Sequence, residues 1–138
     1  MACLLKGGGG LYNRLSLGAV VLAAGQGSRL GHRPKSLIEL AGIPLIRRQL
    51  IALSGAGVDQ LVVVLGHYAT QIRPFIEDFP ITVVDLSDHP EASQKLSVQQ
   101  GVSALQGKFD AVMVVPSDMP LLGTADYTDL IGAYKNRP

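Results

Sequence analysis

Gly25, Gly27 and Gly31 fall in one short stretch that also carries Arg29, Arg33 and Lys35. Backbone without a Cβ can come close to a polyphosphate and turn several N–H groups toward it. Arg29 and Lys35 add the positive charge that β- and γ-phosphates attract, so these residue types at this spacing suit a nucleoside triphosphate. Further along, Asp118 stands just after the wholly apolar run at 111–115. A carboxylate there has no purpose in a core but can reach the crevice where strands end. The plainer alternatives are a glycine-rich turn with solvated arginines and, for Asp118, a turn or helix-capping residue before Met119 and Pro120.

Two better-known phosphate loops fit less well. The dinucleotide fingerprint runs straight into a helix and needs an acidic residue at the end of the next strand. Here Pro34 pushes the next helix out to about residue 44, and the second apolar run ends in Gly66 and His67. A P-loop needs glycine directly before its lysine so that a backbone N–H faces the phosphate, and this chain has Pro34 before Lys35.

The elements that must hold these residues follow from hydrophobic patterning. Residues 19–24, 61–65, 81–84 and 111–115 are short, apolar on both faces and mostly rich in β-branched side chains, as strands covered by helices on both sides are. Between them, residues 44–54 carry Leu45, Ile46, Leu50 and Leu53 at helical spacing and stop at Gly55 and Gly57. A weaker helix is expected over 69–78 and another over 97–105, with Val98, Gly101, Val102 and Leu105 on one stripe. A last helix is expected over 125–134, with Thr124 as its cap. The alternation predicts a three-layer α/β/α domain with a mostly parallel open sheet.

Length and charge narrow the classes. A chain of 138 residues is the size of one domain, able to bury roughly 65–70% of its unfolded surface. A net charge of +1 with 17% charged residues offers no field that points to nucleic acid or a membrane surface as partner. No window reaches the ~20 apolar residues that span a bilayer. The single cysteine, Cys3, has no disulfide partner or zinc-ligand spacing, so a reducing, cytoplasmic setting is expected. Residues 1–16, with glycines at 7–10, read as a flexible extension, and 17–138 as the nucleotide-binding part. His32, His67 and His89 read as loop histidines, and Tyr127 and Tyr134 as packing residues.

The pattern Leu22-Ala23-Ala24-Gly25-Gln26-Gly27-Ser28-Arg29-Leu30-Gly31, followed by Pro34-Lys35-Ser36-Leu37, resembles the signature of the MobA-like nucleotidyltransferases. Leu40-Ala41-Gly42-Ile43-Pro44-Leu45 resembles the stretch that introduces their first helix. Ser97-Val98-Gln99-Gln100-Gly101 is similar to a motif of the cytidylyl branch, and Pro116-Ser117-Asp118-Met119-Pro120 to the metal motif. The resemblance covers about 17–138. It implies a glycosyltransferase-A-like, Rossmann-like nucleotidyltransferase fold, incomplete at the C-terminus, since the family continues with further strands and a second acidic metal ligand.

It also implies a reaction. An acceptor phosphate attacks the α-phosphorus of the nucleotide and expels pyrophosphate, with Arg29, Lys35 and Asp118 as the catalytic residues. Asp118 would hold Mg2+ bridging the phosphates, with water completing the octahedron. The attacking phosphate monoester has a second pKa near about 6 and needs no general base. Nucleotide contacts fall on Leu22 to Arg29, on Lys35, on Asp88 within the 85–89 segment, and on Ser97, for which a helix N-cap is the other reading. Ala24 in place of a second glycine leans toward CTP over GTP. The expected acceptor is molybdopterin. The alternatives are a sugar or polyol phosphate acceptor, or a non-catalytic nucleotide-binding module. A homo-oligomer joined through an unpaired strand edge is also open.

Overall fold

A computed structural model describes residues 3–6, 16–24, 29–30, 33–89, 91, 93–105, 107, 109–117, 128–129 and 131. The strands are β1 (Cys3–Lys6), β2 (Leu17–Ala23), β3 (Arg29–Leu30), β4 (Arg33–Pro34), β5 (Glu39–Leu40), β6 (Ile43–Pro44), β7 (Gln60–Leu65), β8 (Thr82–Asp85) and β9 (Ala111–Pro116). The helices are α1 (Leu45–Gly55), α2 (Ala69–Ile72) and α3 (Gln94–Ser103), with 3-10 turns at Lys35–Leu37 and Arg73–Phe75.

The main sheet has the order β1-β9-β2-β7-β8. β9, β2, β7 and β8 run parallel, and β1 pairs antiparallel along the outer edge of β9. Strand residues alternate between two apolar layers. Ala19, Val21, Val63, Leu65, Met113 and Val115 face α1 and α2, where Ile46, Leu50, Leu53 and Ile72 meet them. Val20, Val62 and Val64 face the other way, with Leu86, Val102 and Leu105. Burial on both faces is why β2 and β7 read as nearly unbroken apolar runs, whereas the edge strand β8 is only half-buried. The three-layer α/β fold with a mostly parallel sheet is as the sequence predicts.

The amino ends of the strands are latched by two carboxylates. Asp59 accepts the Leu17 amide at 2.8 Å, and Asp110 accepts the Ser16 amide at 2.9 Å and its hydroxyl at 3.2 Å. These bonds tie the entries of β7 and β9 to the entry of β2. Registry then brings Ala23 level with Leu65, Leu65 level with Asp85, and Leu22 level with Pro116, so four strands end together at one rim.

Three expectations about the elements change. Residues 3–6, expected within a flexible extension, form β1; its register with 111–114 covers an edge β9 would otherwise leave open. The third helix begins at Gln94 rather than 97, because Ser93 accepts the Leu96 amide at 3.1 Å and caps it. Ser97 is therefore not the N-cap. The helix expected over 69–78 is a short α-helix at 69–72 that tightens into a 3-10 turn at Arg73–Phe75, where Pro74 cannot donate the amide that an α-helix would need. The helix expected over 125–134 and its cap lie largely outside the described residues, which include helical backbone at 128, 129 and 131.

Candidate nucleotide site at the carboxyl ends of the strands

β2 lies between β9 and β7, and its chain continues to β7 while β9 returns on its other side. That reversal is the switch point at which open α/β sheets bind ligands. Ser117 closes it tightly. Its amide donates to the Leu22 carbonyl at 3.0 Å, so the segment leaving β9 starts against the segment leaving β2. Asp118 follows Ser117 in sequence and lies outside the described residues, as do Gly25, Gln26, Gly27 and Ser28.

The basic residues are carried by a second device. β3 and β4 form a two-stranded antiparallel ladder in which Arg29 stands opposite Pro34 and Leu30 opposite Arg33. Arg29 is thereby set across from the residue that precedes Lys35. Pro34, Ser36 and Leu37 are buried, and Leu37 joins the core against α1. The backbone of Lys35 is therefore held between anchored neighbours. A second hairpin, β5 with β6, turns through Ala41 at φ 52° and Gly42 at φ 81°, both in the left-handed region that two-residue hairpin turns require. Pro44 then starts α1, and Leu45 donates to the Ile38 carbonyl at 2.9 Å.

On the opposite face of the sheet, Leu22 and Ala24 pack with Leu86 and Val84. Gly101 rests directly on the strands, since a Cβ there would lie 2.4 Å from Val20 Cγ1 and 2.9 Å from Val64 Cγ2. A Cβ on Gly18 would meet Leu105 at 3.0 Å, so α3 runs antiparallel to β2. One helical turn is about 5.4 Å, which sets Ser97 near the level of Leu22. Ser97 is 4% exposed and its hydroxyl donates back to the Ser93 carbonyl at 3.2 Å. Leu22, Ala24 and Ser97 thus gather at one end of one face. Ala23 points into the other layer, so its side chain is a packing group and only its backbone is available to a ligand.

The loop after β8 is organised by Asp85. Hydrogen bonds from Ser87, then the Arg73 guanidinium at 3.0 Å, hold its carboxyl below the usual aspartate range against the opposing pull of partial burial. Asp85 is engaged in structure, whereas Asp88 three residues on is exposed. His89 is also exposed and lies 3.8 Å from Glu91.

Sequence reasoning left Gly66 without a role. A Cβ on Gly66 would lie 2.6 Å from the Ala24 carbonyl oxygen and 2.9 Å from Ala24 Cα. A glycine immediately after a buried apolar strand marks such a close backbone approach. The Arg73 clamp on Asp85 has no comparable signal in sequence.

Among the described residues no three His, Cys, Asp or Glu side chains gather to hold a metal, and no helix is long and apolar enough to cross a membrane. A cation at this rim would be held by a carboxylate outside the described residues, by phosphate oxygens and by water. Magnesium, which keeps several waters and takes few protein ligands, suits such a donor set.

The MobA-like NTP transferase domain family matches residues 19–138. Bifunctional protein GlmU of Kineococcus radiotolerans is 38% identical over 118 residues, which cover 83% of this chain and 24% of that protein. A nucleotidyl transferase of Methanothermobacter thermautotroptrophicus, Mth528, superposes with a TM-score of 0.73 at 30% identity, covering 85% of this chain and 57% of its own. Rv0371c of Mycobacterium tuberculosis gives a TM-score of 0.75 at 25% identity, covering 90% and 63%. A complex of Rv0371c with manganese has also been solved; it is 23% identical with a TM-score of 0.70. The chain spans about a quarter of the GlmU length and about six-tenths of the two solved proteins.

Proposed function

The chain belongs to the MobA-like NTP transferase domain family, and from that premise we propose that it binds a nucleoside triphosphate at the β2/β9 rim and transfers the nucleoside monophosphate to a phosphorylated acceptor. The observation that carries the reading is the Ser117 amide bonded to the Leu22 carbonyl. It joins the two strand ends whose continuations hold Gly25 to Ser28 on one side and Asp118 on the other.

Arg29, on the hairpin opposite Pro34, and Lys35 bring positive charge to the β- and γ-phosphates. Lys35 follows the pyrophosphate as it leaves. The amides of the glycine segment donate hydrogen bonds to the remaining phosphate oxygens. An ionised acceptor phosphate attacks in line without a general base, so rate depends on positioning and charge neutralisation. Asp118 would hold a divalent cation, magnesium in this reading, which would supply charge to offset that of the phosphates; the manganese complex of Rv0371c is consistent with that chemistry in the fold. Buried Ser97 beside Leu22 and Ala24 lines the nucleoside side, with Asp88 at its exposed margin. The preferred nucleotide is CTP over GTP, and the acceptor is molybdopterin, which places the reaction in molybdenum cofactor synthesis in the cytoplasm.

A second reading keeps the nucleotide half and takes a sugar or polyol phosphate as acceptor. The fold is shared with an inositol-1-phosphate CTP transferase of T. maritima, at a TM-score of 0.61 and 21% identity, and such a fold accommodates a polyol phosphate acceptor.

The test is thermal shift with each triphosphate, with and without magnesium, followed by pyrophosphate release with molybdopterin and with sugar and polyol phosphates. CTP with magnesium should raise Tm most, and Asp118→Ala should abolish the magnesium-dependent part of the shift. An unchanged shift would remove Asp118 from the metal site. Stabilisation by nucleotide without pyrophosphate release from any acceptor would leave a binding module.

A further inference from the structure

Gly66 is buried and follows β7 directly. Its φ lies outside the left-handed region, unlike those of Gly42, Gly57 and Gly107. The backbone angle at 66 would therefore accept any residue, and space alone demands glycine. The atoms in the way are Ala24 O at 2.6 Å, Ala24 Cα at 2.9 Å and Ala24 Cβ at 3.0 Å. Two of these belong to backbone and cannot turn aside as a side-chain tip would. Ala24 in turn packs on the cluster of Val20, Val62, Val64 and Leu86. The chain leaving β2 thus passes beside the end of β7 at contact distance.

We infer that Gly66 is a positioning residue for the nucleotide: it sets how closely Ala24 passes the end of β7, and with it the point from which the proposed phosphate-binding segment departs. Any side chain at 66 pushes against Ala24, the residue from which the proposed phosphate-binding segment departs. The inference rests on the proposed triphosphate site. It assigns to β7, which holds none of the signature residues, a direct hand in that site.

The experiment compares Gly66→Ala with Gly57→Ala in the full chain. Gly57 sits in the turn between α1 and β7, at the far end of that strand, with φ +95° and nothing within 4 Å of its added Cβ. Alanine there strains the backbone and lowers Tm without approaching the loop. Binding of CTP and GTP with magnesium is read by calorimetry. Gly57→Ala should bind as the wild type does, whereas Gly66→Ala should weaken binding roughly tenfold or more, as displaced phosphate donors would.

Should Gly66→Ala fail to fold, adding Ala24→Gly removes one contact and frees the backbone at 24; the double variant should fold and still bind weakly. In wild-type protein, the Gly66 amide resonance should move on titration with the nucleotide while that of Gly57 stays. Wild-type affinity in a folded Gly66→Ala protein, or a Gly66 resonance unmoved at saturation, overturns the inference alone. Failure of the wild type to bind any triphosphate instead removes the proposed site, and this inference with it.

Discussion

Asp85 shows how one side chain can shape the rim without touching a ligand. It ends β8, accepts the Ser87 amide at 2.8 Å and meets Arg73 at 3.0 Å. Those donors stabilise the carboxylate, so its pKa in the folded chain lies below that of the unfolded chain. The stabilisation is therefore present above the unfolded value of about 4 and is lost as pH falls through the folded one. The side chain is 35% exposed, so solvent screens part of the effect. We expect Asp85→Asn to lower Tm at neutral pH and the gap to the wild type to close on acidification below about pH 4. A gap independent of pH, measured by thermal melts across that range, would show that the charge on Asp85 contributes nothing. Asp88 is exposed, has no such partners among the described residues, and stays the proposed group for nucleoside contact.

At the scale of elements, α1 and α3 position the site by different means. α1 is fastened at its flank by Arg47, which donates to the Phe75 carbonyl at 2.8 Å, pairs with both Asp78 oxygens and lies 4.8 Å over the Phe79 ring. Its buried face, with Ile46, Leu50 and Leu53 fully inside, anchors the segment that carries Lys35 through Leu37. α3 has a weaker apolar stripe and depends on the fit of Gly101 against Val20 and Val64 and on the Ser93 cap. Ser93→Ala leaves the Leu96 amide without its capping acceptor and should cost about 1 kcal/mol in denaturant unfolding. The same variant should leave the magnesium dependence of nucleotide stabilisation intact, because Ser97 keeps its hydrogen bond to the carbonyl, not the hydroxyl, of residue 93.

For the molecule as a whole, the consequential feature is the edge of β9. β1 covers it through the register Cys3 to Val114 and Lys6 to Ala111. Without β1, a six-residue apolar strand in the middle of the site's scaffold would present unpaired amides and carbonyls to any extended chain. Removal of residues 1–6 should therefore lower Tm and bring concentration-dependent self-association, visible by light scattering. A deletion variant that stays monomeric with an unchanged Tm would show that this pairing is dispensable. Self-association through β9, open from sequence, is thus opposed by the chain's own N-terminal strand.

How far the sequence reaches depends on the range of the physics. Four parallel strands were legible because the apolar runs at 19–24, 61–65, 81–84 and 111–115 fall largely within them, and α1 because its apolar positions recur at helical spacing. The expectation of phosphate binding over Gly25 to Lys35 could be raised from sequence because glycine spacing and charge are local, and it enters the proposed function as such. Contacts between segments distant in sequence were not. The close approach of Ala24 to Gly66, the seat of Gly101 on Val20, the Arg73 clamp on Asp85 and the cover of β1 on β9 each depend on where the sheet brings remote backbone together. The residues alone determined the kinds of groups available to the proposed triphosphate site; the tertiary packing decided how closely Ala24 and Ser117, from which the loops depart, approach neighbouring strands, because only contact across strands sets that distance.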